Sequence, residues 1–238
     1  MAGKKFRFRV VDDWASAKIR GGTAVVIDVI RFSTTLCALL HKKRRPVYVA
    51  ESPRSLSGEK GLSGADVFSE LEFQCRGRRY DNSPYHVLHS RSARPAYVTS
   101  TNGSKALFAC LKAEKVLIGC FANFNVLVRS LRRSPGVIWL VLASSARLKP
   151  LAVEDGACAQ AIERAVQGPV RGAAQELSQL WDHPRLDQFI HYRPAWGDKD
   201  LRVVLKLNSL PHLPRVRPER IRRARAAGSG VVEIEPER

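Results

Sequence analysis

The sequence predicts an α/β protein whose mainly parallel or mixed central sheet is covered on both faces by helices. Three observations carry this. Short runs free of charge and rich in β-branched residues, such as Ala24-Val25-Val26-Ile27 and Val137 to Ala143, suit strands buried on both sides. Most of these runs lead into a hydroxyl-rich or polar loop and then a segment with helical apolar spacing, the alternation that builds such sheets. With 238 residues and 45% hydrophobic composition, the chain can bury a core as one large domain or two small ones.

In order, Lys5 to Val11 alternates well enough for a first strand, and a Gly21-Gly22 turn leads into the strand Ala24 to Ile27. Ser33 to Leu40 is helical behind hydroxyl caps. The basic cluster His41 to Arg45 then complements the negative end of that helix. Pro46 to Glu51 reads as the next strand, and Ser52 to Arg79 as polar and turn-rich. Asp81-Asn82-Ser83-Pro84 starts a helix to His89. Ala96 to Thr99 is a strand, followed by a helix from Lys105 to Leu111. Val116 to Cys120 is another strand, with a helix through Leu131. Val137 to Ala143 is the most hydrophobic strand, and Glu154-Asp155 opens the helix Gly156 to Val166. Gln175 to Tyr192 is expected to be helical with a turn, and Leu201 to Leu207 a last strand. Residues 1–213 are read as one domain. Residues 214–238 turn basic, then Gly/Ser-rich, then acidic, and are expected to form a flexible tail.

The balance of 40 Lys+Arg against 22 Asp+Glu gives a formal charge of +18. Such a charge attracts nucleic acid, anionic membrane and small polyanions without choosing among them. Five scattered cysteines with no C-x-x-C pair read as reduced core residues. The first residues lack a signal-peptide core, and no apolar run approaches the roughly 20 residues of a membrane span. The expected location is the cytoplasm, with no membrane partner.

Asp28 and Arg31 follow the first buried strand, where ligands collect in open α/β sheets and helix starts offer N–H groups to anions. An acid directly ending a buried strand needs a partner or a purpose, and Arg31 is one candidate partner. If the strands are parallel, three loops converge at one sheet edge: Arg31 to Thr35, Ser100 to Ser104, and Cys120 to Asn123. With Asp28, Glu59, Glu154 and Asp155 they supply hard oxygen ligands for Mg²⁺ and hydroxyl, amide and cationic groups for phosphate. Taken singly, each has a plain structural explanation. Thr34, Ser83 and Ser104 suit helix caps, Asn102-Gly103 a turn, and Glu154-Asp155 the positive end of a helix dipole.

Other phosphate chemistries are set aside. Asp28-Val29-Ile30 lacks the second aspartate of aspartyl-phosphate enzymes of the haloacid dehalogenase type. No cysteine leads at the right distance to an arginine, and Gly58 to Gly64 does not form a nucleotide P-loop. The six histidines show no metal-ligand spacing, and there is no G-x-S-x-G elbow.

The segments AVVIDVIRFSTT, SGEKG, DNSP, TSTNGSKAL, VLIGCFAN and AVEDGACAQAIERA occur in one order between Ala24 and Pro214. As a set they resemble the 2-phosphosulfolactate phosphatases, the ComB-like family. The resemblance implies a three-layer α/β/α fold, Mg²⁺ dependence and hydrolysis of a small anionic phosphate ester flanked by a carboxylate and a sulfonate. The family's product, 3-sulfolactate, feeds coenzyme M synthesis. Carried over, the resemblance places functional positions at Asp28, Arg31, Thr34, Thr35, Glu59, Lys60, Asn82, Ser83, Thr101, Asn102, Gly103, Ser104, Asn123, Glu154 and Asp155. On that reading Asp28 and Asp155 hold Mg²⁺, with Glu59 or Glu154 as a further ligand or the base that orients water. Arg31, Lys60 and the amides of Thr101 to Ser104 bind the substrate's anions. Lys60 stands where the family usually has arginine, which exchanges a bidentate fork for a point charge. Oligomeric state is left open, a homo-oligomer included. The alternative function is nucleic-acid binding through the basic surface and the Arg-rich stretch RIRRARAA.

Overall fold

The strand-forming runs assemble into one ten-stranded mixed sheet. The computed structural model describes residues 5–144, 153–169, 172–193, 195–217 and 230–237. The strands are β1 (Phe6–Val11), β2 (Thr23–Ile27), β3 (Val47–Ala50), β4 (Asp66–Phe68), β5 (Arg78–Tyr80), β6 (Ala96–Val98), β7 (Lys115–Gly119), β8 (Gly136–Leu142), β9 (Pro214–Val216) and β10 (Val231–Pro236). Their order in space is β1-β8-β2-β7-β9-β10-β3-β6-β4-β5. Two parallel blocks, β1-β8-β2-β7 and β3-β6-β4-β5, are joined through β9 and β10, which pair antiparallel with each other and with the strands beside them.

The helices are α1 (Phe32–His41), α2 (Pro84–His89), α3 (Gly103–Ala109), α4 (Phe124–Arg133), α5 (Val153–Gln167), α6 (Ala173–Trp181), α7 (Pro184–Tyr192) and α8 (Gly197–Val204). Strand β2 is buried along its whole length because parallel neighbours flank it, with Val25 opposite Leu117 on one side and Leu140 on the other. Helix α1 is buried from Phe32 to Leu40: Leu36 to Leu40 is apolar throughout, and the three hydroxyl residues Ser33, Thr34 and Thr35 are buried with it. It packs against β7, β6 and β9, while α5 packs against β8, β1 and β2. The hydroxyls at the start of α1 do not cap it. Ser33 Oγ accepts from the Asp28 N–H at 3.1 Å, and Thr34 Oγ1 donates to the Val29 carbonyl at 2.9 Å. Both tie the helix back to the loop that follows β2.

Three expectations are corrected. The span Leu201 to Leu207 is not a strand, because α8 covers most of it. Leu201, Val204 and Leu205 recur at helical spacing and are all buried, so the 3.6-residue period wins over the two-residue one. Parts of the expected tail form β9 and β10. In Val232 to Glu235 the apolar and acidic residues alternate, and Val232 and Ile234 are buried against β3. The Arg-rich stretch held responsible for nucleic-acid binding falls within residues 218–229, outside the described residues. The polar stretch Ser52 to Arg79 contains β4 and β5. Asp66 in β4 is buried, with Arg44 Nη2 at 2.7 Å.

Among the described residues, no helix is long and apolar enough to cross a membrane. Four of the five cysteines are buried, Cys75 is half-buried, and none is in a disulfide.

Candidate active site

Adjacent parallel strands deliver the acids. Asp28 follows β2, and Glu154 and Asp155 begin the helix that comes after β8, the strand beside it. The Val29 N–H donates to Asp155 Oδ1 at 2.8 Å, which locks the two strand ends together. The start of α3 presses on Asp28 from another side. A Cβ at Gly103 would lie 2.5 Å from both Asp28 Oδ2 and the Phe32 ring, so only glycine permits this approach. These groups border a cleft of about 280 Å³ that also takes in Glu70, Asn82, Thr101, Asn102 and, from the α7 region, Arg185, Phe189 and Arg193.

Crowded carboxylates at low solvent exposure resist ionising together. Burial, then the charges of Glu70 and Glu154, push the Asp28 carboxyl up to about 7, although one edge of it stays open to the cleft. Asp155 is held well above the usual carboxylate range, by burial first and then by Glu154 and Asp28. Burial also raises Glu154.

Arg31 lines the same cleft at 5% exposure, and three of its five N–H donors are taken by acids: Nη1 donates to Asp81 Oδ2 at 2.7 Å and Asp200 Oδ2 at 2.8 Å, and Nη2 donates to Asp81 Oδ1 at 2.9 Å. Asp200 Oδ1 accepts from Ser83 Oγ at 2.6 Å and from the Tyr85 N–H at 3.1 Å. This buried network fastens α2 and α8 to the loop after β2, with the Arg31 guanidinium neutralised by two acids.

The other expected positions divide. Asn82, Thr101 and Asn102 line the cleft with Asp28, Glu154 and Asp155. The Thr101 N–H does not face open cleft: it donates to Glu70 Oε1 at 2.6 Å, and Asn82 Nδ2 donates to Glu70 Oε2 at 3.2 Å. Thr34 and Thr35 are buried, the latter donating to the Asn82 carbonyl at 3.4 Å. Ser83 caps α2 by accepting from the His86 N–H at 3.0 Å, and Ser104 Oγ accepts from the Ser100 N–H at 2.8 Å. Asn123 is buried, accepting from the Cys120 N–H at 3.0 Å and donating to the Ile118 and His212 carbonyls. The loop Cys120 to Asn123 therefore does not join the cleft. Glu59 and Lys60 are not brought to it either. They border a separate cavity with Leu56, Leu62 and Cys75, where Tyr97 Oη donates to Glu59 Oε2 at 3.5 Å. The parallel-edge expectation is also corrected, because β6 runs opposite to β2. Thr101, Asn102 and Gly103, which follow β6, nevertheless reach Asp28.

Sequence reasoning missed Glu70, Asp81, Asp200, Arg185 and Arg193. Glu70 carries the same signal as Asp28, an acid shortly after a buried strand, but β4 is too short to be read as one. Asp200 shows as an acid leading an apolar helical face. The arginines of the α7 region have no local signature.

Whether the cleft suits Mg²⁺ turns on its donors. Among the described residues, no three His, Cys, Asp or Glu side chains form a ready-made metal cluster. Mg²⁺ is usually held by only one or two carboxylates, with waters and phosphate oxygens completing its shell. Glu154 Oε2 and Asn82 Oδ1 are buried acceptors with no hydrogen-bond donor, and both adjoin the Asp28 cleft. Hard oxygen atoms of this kind fit such an ion.

By class, the chain is a phosphoric monoester hydrolase on an α/β scaffold. Residues 9–216 match the family model described as 2-phosphosulpholactate phosphatase, and the chain belongs to that family. It is 29% identical over 192 residues to a probable 2-phosphosulfolactate phosphatase of Symbiobacterium thermophilum, an alignment covering 73% of this chain and 79% of that protein. A protein of the same description from Picosynechococcus sp. is 27% identical, with 60% of this chain and 61% of the other covered. One from Clostridium beijerinckii is 24% identical, with 50% and 52% covered. The chain thus spans about half to four-fifths of the length of these relatives.

Proposed function

We propose that the chain hydrolyses 2-phospho-3-sulfolactate to 3-sulfolactate and phosphate with Mg²⁺ as its metal, a reaction of the coenzyme M biosynthetic type. The observation that supports this best is a pairing of unsatisfied groups in one cleft. Glu154 Oε2 and Asn82 Oδ1 are buried acceptors without donors, and Arg185 Nε is a buried donor without an acceptor. A cation at Asn82 Oδ1, a water donating to Glu154 Oε2 and an anion at Arg185 Nε would satisfy all three, as in a divalent ion and its attacking water bound next to a phosphoryl group.

Asp28 and Asp155 would hold the ion, with Asn82 Oδ1 turned toward it. When bound, Mg²⁺ supplies positive charge against the phosphoryl oxygens. The chain's own groups do the rest. Glu154 orients a water and takes its proton at Oε2 as the water oxygen bonds to phosphorus. The bond from phosphorus to the substrate's C2 oxygen breaks, and that oxygen leaves as the sulfolactate hydroxyl after taking up a proton. Asn102 and Thr101 border the space the phosphoryl group occupies.

The test is a phosphate-release screen with the full chain over small carboxylated and sulfonated phosphate esters, with Mg²⁺ or with chelator. Mg²⁺-stimulated release, fastest from 2-phospho-3-sulfolactate, is expected. No release from any of these esters in Mg²⁺ ends the proposal.

A further inference from the structure

The cleft holds four carboxylates, from Asp28, Glu70, Glu154 and Asp155, and a substrate with two or three negative groups needs cations placed against them. Arg31 is committed to Asp81 and Asp200, and Lys60 lies in another cavity. The cations left in the cleft are Arg185 and Arg193. Among the described residues neither side chain makes a hydrogen bond or ion pair, and Arg185 Nε is buried without an acceptor.

Both are positioned before any ligand arrives. Arg185, Phe189 and Arg193 recur every four residues, so they fall along one side of α7 and its C-terminal end. Phe189 is 8% exposed, with the Arg31 guanidinium 5.4 Å from its ring, which seats α7 against the buried network. The Arg193 backbone is pinned at the junction of α7 and α8. Its N–H donates to the Phe189 and Ile190 carbonyls, and its own carbonyl accepts from the Trp196 and Gly197 N–H groups. At Gly197 a Cβ would lie 2.8 Å from Ile190 Cα, so the two helices are in close contact there. Most of the length of α7 lies between the two residues, which sets their Cα atoms about 12 Å apart along its axis. Arg185 and Arg193 line the same cleft as Glu154 and Asp155, and of the two it is Arg185 whose Nε is buried and lacks an acceptor, so it is assigned to the phosphoryl group and Arg193, a helix length away, to the second anion.

We infer that Arg185 and Arg193 form a two-point anion clamp, Arg185 receiving the phosphoryl group and Arg193 the substrate's distal sulfonate or carboxylate. Arg193 thereby sets the preference for esters that carry a second anion. This rests on the phosphatase reading for its substrate, and on the cleft alone for its geometry.

The test compares kcat/KM for 2-phospho-3-sulfolactate and for p-nitrophenyl phosphate, which has no second anion, in the full chain with Mg²⁺. Loss of one charge-assisted contact should lower the ratio of the two by about tenfold or more in Arg193→Gln, chiefly through KM for the sulfonated ester. Arg193→Lys should recover part of the ratio. Arg185→Gln should slow both esters, leaving the ratio within about threefold. Calorimetric binding of 3-sulfolactate is the second readout, and Arg193→Gln should weaken it by about tenfold. A folded Arg193→Gln variant that keeps both the ratio and the 3-sulfolactate affinity within about twofold overturns the clamp. If the wild type releases no phosphate from either ester, the phosphatase reading fails and the binding arm decides. Affinity for 3-sulfolactate that depends on Arg193 then upholds the clamp, and no affinity in the wild type removes it as well.

Discussion

The two walls of the cleft are built by different means. One is made at strand ends: Asp28 after β2 and Glu154-Asp155 after β8, held in register by the sheet and by the Val29 to Asp155 hydrogen bond. The other is one side of α7 and its C-terminal end, carrying half-buried arginines with no side-chain partner among the described residues. The strand wall concentrates negative charge at low exposure, at a cost in stability that only a positive ligand offsets. The helix wall keeps its charge near solvent, where exchange of anions is cheap. On the proposed reading, chemistry sits on the strand wall and recognition on the helix wall.

If that division is right, the largest single effect belongs to the strand wall. Asp28→Asn removes the charge proposed to hold Mg²⁺ while keeping an oxygen that can accept from the Phe32 N–H. The loss of several kcal/mol of charge stabilisation should lower Mg²⁺-dependent kcat/KM by roughly 10⁴-fold with the circular dichroism spectrum unchanged. Activity within about tenfold of wild type would remove Asp28 from the chemistry and dissolve the comparison.

The next effect falls on neither wall but on what joins them. Arg31→Met strands Asp81 and Asp200 without their cation, and Asp200 is fully buried. Breaking a buried pair from one side costs about 3–5 kcal/mol. Urea denaturation of the full chain should show that loss. A loss under about 1 kcal/mol, coupled to a large rise in KM, would return Arg31 to the anion-binding role suggested by its place beside Asp28.

Arg31 also illustrates how far the sequence could be read. An acid and an arginine closing a buried strand are legible because nothing in the core tolerates them idly. Which partner the arginine chooses is not, since Asp81 and Asp200 lie 50 and 169 positions away and meet it only through α2 and α8. The fold divides in the same way. Strands β2, β7 and β8 are long and apolar enough to be recognised. Strands β4, β5 and β9 have three residues each and, unlike the equally short but uncharged β6, carry aspartate, arginine or proline that hides them, so their place comes from tertiary pairing. Residues 201–207 fit either period locally, and the burial of Asp200, Leu201 and Val204 decides for the helix. The motif around Glu59 and Lys60 was legible as a motif, yet its position in space was not.

A smaller effect sharpens the claim that the strand wall carries stored cost. Asp28 has a folded-state value of about 7 against roughly 3.9 unfolded. Below pH 4 the carboxyl is protonated in both states and costs nothing. Between pH 4 and 7 the unfolded chain gives up the proton first, so the metal-free protein loses stability as pH rises, and above 7 the penalty is constant. Its open edge discounts the penalty to about 2–3 kcal/mol. Asp28→Asn should therefore stabilise the metal-free protein at pH 8 and have little effect at pH 4.5, as read by denaturant midpoints. Equal effects at both pH values would mean that Asp28 is already ionised without strain.

The smallest effect tests where the cleft ends. Glu59 and Lys60 share a motif segment with functional positions of the family, and in the structure they border a cavity with Leu56, Leu62 and Cys75, apart from Asp28. Lys60 is exposed, and Glu59 accepts only a long hydrogen bond from Tyr97 at 3.5 Å. A group that neither touches the substrate nor positions one that does contributes little to transition-state binding. Glu59→Gln and Lys60→Met should then change kcat/KM for the preferred ester by less than about twofold, within the ordinary scatter of surface substitutions. A fall of a hundredfold in either would mean that this cavity is completed by, or completes, a cleft on another copy of the chain. Turnover would then depend on protein concentration, and mixing Glu59→Gln with Asp28→Asn chains would restore it. The two-wall picture would then be true of one protomer and incomplete for the working enzyme.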